Sequence, residues 1–400
     1  MNKRSSTIRK ELALANLMDL LKIGGLSGHE AAVAGYVARS LRKAGAKKHW
    51  ITCDNAHKKI GCGFEAGNLI VKFPGTHRAA RLLFSAHLDT VPLCRGAVPI
   101  RRGHRIVAKG ETALGGDNRA GVACLLTAAQ ALMQDDLPHP PLTFLFTVGE
   151  ELGLAGARHV SARALGYPAM GFNFDGGNSG DIIVGAVGAD RWEIEVFGLS
   201  AHAGVCPERG VSAALIAGEA LSLMKKRSLW GKIKHQHGRG TSNIGIIRGG
   251  EATNQVLDRL YLKGESRSHD LKFLSTLTSR IEQCFVEAAH SVTNDQGKHG
   301  YIQFTLHRNY EPYRLDPTAP VVAYTASVMR ALGFKPKMQI SDGGLDSSCL
   351  TAKGIPTVTL GSGNHMPHHP GEYIAVKEYL DACNLALALA ASGGKGLCRA

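Results

Sequence analysis

The chain has 400 residues, of which 44% are hydrophobic and 20% charged, a composition typical of a globular protein and not of a disordered or fibrous chain. Its formal net charge of +14 would suit nucleic-acid binding, but only residues 225–239 concentrate the basic side chains and no nucleic-acid motif accompanies them, so we expect no nucleic-acid partner. No apolar run has the length of a membrane span and the first residues lack the apolar core of a signal peptide, so we expect a cytoplasmic protein without a membrane partner.

The apolar pattern predicts an α/β domain that begins with two helices. Residues 10–46 predict an amphipathic helix, a break at the Gly-Gly-Leu-Ser-Gly stretch 24–28, and a second helix that reaches Leu41 and is closed by Gly45. Short runs apolar on both faces then predict buried strands at Asn68–Phe73, Arg81–Ala86, Leu142–Val148, Ala169–Phe174 and Ile355–Leu360, with helices at Ala120–Met133 and Pro320–Leu332. Such runs separated by helices predict a mainly parallel sheet covered by helices on both sides.

The middle of the chain has a different pattern. Apolar Trp192, Ile194 and Val196 alternate with glutamates, which predicts a strand with one face in water. The predicted order is then strand 189–198, helix 211–227, strand 242–248, strand 258–266, helix 270–292 and strand 301–309, the β-α-β-β-α-β order of a ferredoxin-like unit. We therefore predict an inserted ferredoxin-like α+β domain at 189–306, and a catalytic domain assembled from 1–188 and 307–400.

Acidic and histidine residues stand just past the predicted strands of the first domain. His87 and Asp89 follow the strand 81–86, Glu150 and Glu151 follow the strand 142–148, Asp175 follows the strand 169–174, and Asp117 begins an apolar helix after two glycines. Ligands of open α/β sheets bind beyond the carboxyl ends of the strands. We therefore expect these side chains to converge on one crevice.

The mixture of imidazole and carboxylate groups predicts a catalytic site for zinc, manganese or cobalt. The nine cysteines are scattered without a CxxC pair, so we expect reduced thiols and a metal held mainly by His, Asp and Glu. A two-metal site needs one bridging carboxylate and two terminal ligands on each ion. The candidates are Asp117 as the bridge and His87, Asp175, Glu151 and a C-terminal histidine as terminal ligands, and the spacing leaves open whether that histidine is His365, His368 or His369.

Two further acidic residues are expected to act beside the ligands. Asp89, two residues after His87 on an extended segment, is placed to accept the imidazole N–H and orient the ring. Of the two adjacent glutamates, we predict that Glu151 binds metal and that Glu150 takes a proton from metal-bound water. Taken singly, a histidine is more often a packed or surface group and Asp-Gly-Gly is usually a turn, but the joint placement favours a site.

Four motifs resemble those of the zinc peptidases and amidohydrolases that include aminoacylases, dipeptidases and peptidase T. They are HLDT (87–90), LGGDNRAG (114–121), GEELGLAG (149–156) and FDGG (174–177), in the order and spacing of that family. The resemblance covers nearly the whole chain and is closest to peptidase T, through GLSAHAG (198–204), TSNIGIIRGGEATNQV (241–256), GESRSHD (264–270), GLDSS (344–348) and HHPGEY (368–373). Asn118 departs from the family, which commonly has a second aspartate there.

The resemblance implies roles for individual residues. The family's C-terminal ligand is a histidine four residues before a glutamate, which points to His368 before Glu372, with His369 as the fallback. The implied site holds two Zn²⁺, with Co²⁺ or Mn²⁺ as substitutes: His87 and Asp175 on one ion, Glu151 and His368 on the other, Asp117 as the bridge, Asp89 orienting and Glu150 as the base. In the inserted domain, His202 resembles the histidine that reaches the scissile carbonyl, and Asn254 and Arg267 resemble substrate-binding groups. The resemblance also implies a cis peptide after Asp117.

These features together predict a two-zinc metallo-exopeptidase, an aminopeptidase of the tripeptidase kind. A hydroxide shared by the two metals would attack the N-terminal peptide bond of a short peptide, with Glu150 as general base. The alternatives are a deacylase or another amidohydrolase of the same family, acting on N-acyl amino acids or related amides, and a non-catalytic metal-binding protein. We expect the inserted domain to act as a lid and to form a homodimer.

Overall fold

The computed structural model describes residues 7–61, 63–236 and 238–392. Its helices are α1 (Lys10–Lys22), α2 (Ala31–Lys43), α3 (Ala56–Ile60), α4 (Gly116–Gln134), α5 (Ala155–His159), α6 (Ala162–Leu165), α7 (Ala213–Lys226), α8 (Leu271–Ser291), α9 (Pro320–Ala331), α10 (Asp346–Ala352) and α11 (Val376–Ala391). Its strands are β1 (Ile51–Cys53), β2 (Leu69–Phe73), β3 (Leu82–His87), β4 (Pro99–Arg102), β5 (Arg105–Ala108), β6 (Leu142–Thr147), β7 (Met170–Gly176), β8 (Asp181–Ala186), β9 (Gly188–Phe197), β10 (Gly231–His235), β11 (Gly238–Arg248), β12 (Arg259–Ser268), β13 (Tyr301–Tyr310), β14 (Tyr313–Arg314), β15 (Lys337–Ser341), β16 (Thr357–Gly361), β17 (Asn364–His365) and β18 (Tyr373–Ala375).

The chain divides into two compact units. Unit 1 comprises Met1–Ala186 and Arg314–Ala400, and unit 2 comprises Val187–Tyr313. No helix within the described ranges is both long and apolar enough to cross a membrane.

Unit 1 is built on a nine-stranded mixed sheet in the order β1-β2-β6-β3-β7-β16-β8-β14, with β15 also paired to β8. The four central strands, β6, β3, β7 and β16, are parallel, whereas β2 runs antiparallel to β6 and β8 runs antiparallel to β16. The prediction of a mainly parallel sheet therefore holds for the centre and for β15, which is parallel to β8, whereas the pairings β1–β2, β2–β6 and β16–β8 are antiparallel. A run that is apolar on both faces indicates burial and says nothing about strand direction.

Helix α4 is a buried helix of unit 1. Its residues from Asn118 to Leu132 are all buried, and it packs against α1, α11 and β3. A methyl group at Gly121 would collide with the carbonyl oxygen of Phe174, so this glycine lets the helix lie close against β7. The close packing fixes the start of α4, where Asp117 lies, against the end of β7.

Unit 2 contains a five-stranded antiparallel sheet in the order β10-β11-β12-β9-β13. Helices α7 and α8 cover it, and the apolar residues of β9, including Trp192, Ile194 and Val196, form a core with both helices. Strand β10 is one more than the predicted order contains. It lies in the basic stretch 225–239, where Ile233 is the single apolar residue of the strand, too short a pattern to predict it.

Candidate metal centre

The strand register brings the predicted ligands to one edge of the sheet. His87, the last residue of β3, is the partner of Thr147, the last residue of β6. A left-handed turn at Gly149 (φ +60°) follows β6 and leads into a short 3-10 helix, Glu150–Leu152. Asp175 lies near the end of β7, which is parallel to β3. Parallel strands end at the same edge, so these side chains meet there.

Asp117 lies between two groups of candidate ligands. Its Oδ1 is 3.0 Å from His87 Nε2, and the same nitrogen is 3.3 Å from Asp175 Oδ1. Its Oδ2 is 3.5 Å from His368 Nε2, which in turn is 2.7 Å from Glu151 Oε1. One carboxylate thus faces a His–Asp pair with one oxygen and a His–Glu pair with the other, which is the arrangement that a bridging ligand requires.

The spacing and the charge of this group fit metal ions. Ligand atoms of His87, Asp117 and Glu151 lie within 4.8 Å of one another. Zinc bonds of about 2.0–2.2 Å in a tetrahedron place neighbouring ligand atoms about 3.3 Å apart, close to the separations around Asp117. Buried carboxylates with few cations between them also need a positive charge. The residues present therefore fit two divalent ions.

The pKa shifts in the site follow from this crowding. Burial alone would lower the pKa of His87, but the carboxylates of Asp175, Asp117 and Asp89 raise it well above its usual value. Hydrogen bonds with Asp117 and Glu151 raise the pKa of His368 to about 10. The raised pKa values favour the protonated form of both imidazoles without metal, and each proton would stand where a metal ion would supply the positive charge.

The three C-terminal histidines have different surroundings. His365 stacks on Tyr373 with ring centroids 4.9 Å apart, and its Nε2 lies 3.2 Å from Glu378. His369 accepts a hydrogen bond from the backbone N–H of Gly371 at 2.9 Å. His368 alone of the three contacts the carboxylates of the site among the described contacts.

Asp89 is fully buried, and its carboxylate contacts groups at the end of β3 and after β6. It accepts hydrogen bonds from the backbone N–H of Glu150 at 2.9 Å and of Glu151 at 3.2 Å. His87 Nδ1 lies 3.3 Å from its Oδ1 and 3.1 Å from its backbone oxygen. Asp89 therefore holds the histidine ring and the two-glutamate turn in a common frame.

Glu150 lies near other carboxylates of the candidate site. Burial raises its pKa well above the usual value, and the charges of Asp175, Asp346 and Glu151 add to the effect of burial. A glutamate with a raised pKa is suited to accept and return a proton near neutral pH.

Several residues of the site were not identified as contributors by the sequence analysis. In the sequence, Glu372 was used only to select His368, four residues before it. In the structure Glu372 is buried and accepts hydrogen bonds from the backbone N–H of Gly115 at 2.8 Å and of Asp117 at 2.9 Å. Asn118 donates to the carbonyl oxygen of Phe174 at 2.8 Å, which an aspartate could not do. The Asp117–Asn118 peptide is cis, as the resemblance implied.

The candidate substrate-binding residues all lie in unit 2. His202 and Asn254 belong to paired segments, in which Ala203 N–H donates to the Asn254 carbonyl at 2.9 Å. His202 Nδ1 accepts from Gly204 N–H at 3.1 Å. Arg267, on β12, forms a two-pronged ion pair with Glu265, at 2.9 and 3.1 Å.

Comparison with known proteins places this geometry in a family. Residues 83–392 match the model of peptidase family M20/M25/M40. An uncharacterized protein of Bacillus subtilis, YqjE, is 30% identical over 389 residues, covering 97% of this chain and 100% of its own. Peptidase T of Vibrio cholerae is 24% identical over 288 residues, covering 71% of this chain and 67% of its own.

Solved structures give the same result. The aminopeptidase PepT of Bacillus cereus is 29% identical with a TM-score of 0.81, covering 96% of this chain and 98% of its own. A tripeptidase of Staphylococcus aureus is 29% identical with a TM-score of 0.85, covering 96% of this chain and 99% of its own. The chain therefore belongs to peptidase family M20/M25/M40 and is a peptidase T-like metallopeptidase within it.

Proposed function

We propose that the protein is a two-metal exopeptidase that removes the N-terminal residue of short peptides, with tripeptides as the preferred class. The observation that carries the proposal is the position of Asp117, which faces the pair His87 and Asp175 with one oxygen and the pair His368 and Glu151 with the other. The similarity to an aminopeptidase and a tripeptidase, each 29% identical over nearly the whole chain, supports the peptide substrate.

The five proposed ligands would hold two Zn²⁺, with Co²⁺ or Mn²⁺ as substitutes. Bound there, the ions would polarise the scissile carbonyl and lower the pKa of the attacking water. Asp89 would keep the His87 ring in the orientation that presents Nε2 to the site, because its carboxylate lies against Nδ1. Glu372 would hold the backbone of Asp117 in place through its hydrogen bond to the N–H of that residue.

Glu150 is the proposed general base. It would take a proton from the attacking water and return it to the amine that leaves, which requires a carboxylate that is not itself a ligand. The backbone of Glu150 is held by Asp89, and burial raises the pKa of its side chain, so both position and basicity suit the role.

The residues of unit 2 are proposed to act on the substrate. His202 Nδ1 accepts a hydrogen bond from Gly204, so the ring proton stands on Nε2, where it can be donated to the carbonyl oxygen as negative charge develops. Asn254 is proposed to bind the peptide backbone and Arg267 its terminal carboxylate. We further propose that unit 2 acts as a lid and forms a homodimer, which light scattering on purified protein would test.

The test is a panel of di-, tri- and tetrapeptides, free and blocked at either end, with the metal content measured on the same sample. We expect release of the N-terminal residue from free tripeptides, dependent on metal. Cleavage of N-acetylated amino acids in preference to free peptides would instead show a deacylase. Absence of turnover on every peptide and amide by the metal-loaded protein would contradict an enzymatic role.

A further inference from the structure

We propose that the linker between α1 and α2, residues 23–30, positions the catalytic turn Gly149–Glu151 through two side chains, Ser27 and Glu30. The inference rests on the proposed function, because it concerns the residues assigned there as base and ligands. Neither Ser27 nor Glu30 would touch substrate or metal. Both would act as positioning residues, through hydrogen bonds to groups that do.

Ser27 completes the set of donors around Asp89. Its hydroxyl donates to Asp89 Oδ2 at 2.6 Å, the shortest of the hydrogen bonds that this carboxylate accepts. Oδ2 also accepts from the N–H of Glu151 at 3.2 Å, while Oδ1 accepts from the N–H of Glu150 at 2.9 Å. Each carboxylate oxygen thus has two partners, counting His87 Nδ1 at Oδ1. Without Ser27, Oδ2 would keep only its longer hydrogen bond, from the N–H of Glu151, and the carboxylate would be held less firmly on that side.

Glu30 acts on the other end of the turn. It is fully buried, and its Oε1 accepts from the N–H of Gly149 at 3.0 Å and from the N–H of Gly28, in its own linker, at 2.9 Å. Gly149 has a left-handed conformation, and a Cβ there would lie 2.6 Å from the ring of Phe64. A buried N–H without an acceptor is costly, so Glu30 stabilises the conformation that directs Glu150 into the site.

The linker is itself fixed to the elements that carry the ligands. The carbonyl of Gly25 accepts from the N–H of Thr90, directly after Asp89, at 3.1 Å. The same carbonyl lies 3.4 Å from Arg119 Nη2, two residues after Asp117. A Cβ at Gly25 would lie 2.6 Å from that nitrogen, so the guanidinium rests on the bare backbone. The linker therefore contacts the end of β3, the start of α4 and the turn after β6.

The hydrogen bond from Ser27 to Asp89 predicts a specific effect when the hydroxyl is removed. If its hydroxyl only filled space, its loss would leave the site unchanged. If it holds the Asp89 carboxylate, its loss would misplace both His87, a proposed ligand, and Glu150, the proposed base. Removal of partners behind metal ligands typically lowers metal affinity or activity about 10- to 100-fold. We therefore expect a lower kcat and weaker metal binding, with a smaller change in KM.

The experiment compares Ser27→Ala, Ser27→Thr and a control, Ser161→Ala, in the full-length protein. The hydroxyl oxygen of Ser161 caps α6 by accepting a hydrogen bond from Ala164 N–H at 3.2 Å, a contact that involves none of the proposed site residues. The zinc affinity of each variant is measured by competition with a chelator, and kcat and KM are measured on a free tripeptide. We expect loss in Ser27→Ala, substantial recovery in Ser27→Thr because its hydroxyl is retained, and no change in the control.

A zinc affinity and a kcat of Ser27→Ala within about twofold of the wild type would overturn the proposal, since positioning residues typically cost more. Equal impairment in Ser27→Thr would also overturn it, because packing would then be the cause. A second pair, Glu30→Gln and Glu30→Ala, tests the other end of the turn: the amide oxygen of Gln can still accept from Gly149, so Glu30→Ala should lose more activity. Failure of the proposed function is distinct, because wild-type protein would then bind zinc without hydrolysing peptides.

Discussion

At the scale of single residues, replacing the proposed bridging ligand Asp117 should affect metal binding differently from replacing a proposed terminal ligand. Asp117→Ala should weaken both metal positions together, because each group of ligands uses one of its oxygens. His368→Ala should chiefly weaken the position next to Glu151. Metal analysis after dialysis against a weak chelator checks this. Equal, partial loss of metal in both variants would contradict a central bridge.

Replacing the carboxylate of Glu150 by an amide should distinguish the proposed base from the proposed metal ligands. Glu150→Gln should keep both metals, because the residue is proposed as a base and not as a ligand. Turnover should fall about 100- to 10,000-fold, the usual contribution of a general base. Metal content and kcat measured on one preparation decide it. A near-normal rate would show that another group moves the proton.

The two site histidines predict a pH dependence of metal binding. The pKa of His368 is raised to about 10 by Asp117 and Glu151, and that of His87 is also raised, which favours the protonated imidazoles in the metal-free protein. Binding of zinc must displace these protons, so zinc affinity should rise with pH up to about 10, the pKa of His368. Calorimetry in buffers of different ionisation enthalpy measures the protons released. His368→Ala should release fewer, and a pH-independent affinity would contradict the assignment.

The same shift has an opposite consequence for the metal-free fold. A histidine whose folded pKa lies above its unfolded value stabilises the protein below the unfolded pKa. The contribution of His368 should therefore be fully present below about pH 6.5, its ordinary value, and should be lost as the pH rises towards about 10. Bound zinc would hide this loss, because the metal replaces the proton.

At the scale of elements, the local pattern of apolar and polar residues predicted the features that lie within a single helix or strand. The buried strands and the helix over 116–134 show in the sequence because each has an apolar run of suitable length, and the acidic residues at their ends show because they interrupt those runs. Glu372 and Ser27 could not be found in this way. They act on partners 255 and 62 residues away, and only the folded chain brings these together.

Strand β12 provides a test of substrate orientation. Arg267 binds Glu265 with two hydrogen bonds on this strand, and a guanidinium answers a carboxylate with the same two-pronged geometry. If Arg267 reads the C-terminus of the peptide, Arg267→Lys should weaken the use of free tripeptides far more than of C-terminally amidated ones. Glu265→Gln should improve the use of free tripeptides, because it removes the competing carboxylate. Equal effects on free and amidated peptides would exclude this role.

At the scale of the whole molecule, the proposed metal ligands and the proposed substrate residues belong to different units. All five proposed ligands lie in unit 1, whereas His202, Asn254 and Arg267 lie in unit 2. Val184 O accepts from Leu315 N–H at 2.7 Å, so the two points where unit 1 is interrupted are neighbours.

Replacing residues 187–313 by a short Gly-Ser linker should therefore leave a folded unit 1 that retains metal but no longer hydrolyses peptides. Circular dichroism, metal analysis and a tripeptide assay on the shortened chain check these points. Loss of metal together with unit 2 would show that the site is not complete within unit 1. Normal hydrolysis would show that the residues of unit 2 have no part in the reaction.

The position of β16 in the sheet has a consequence for how the chain is made. This strand lies between β7 and β8, although it is synthesised more than 170 residues after them. While the ribosome makes residues 187–313, β16 does not yet exist. The edge of β7 that will pair with it therefore has unpaired N–H and C=O groups, and apolar side chains that the complete fold buries are still exposed there. Unit 2 can fold in this interval, but the central sheet closes only when β16 emerges, and His368 follows seven residues later. The nascent chain therefore carries that open edge of β7 until β16 has been made.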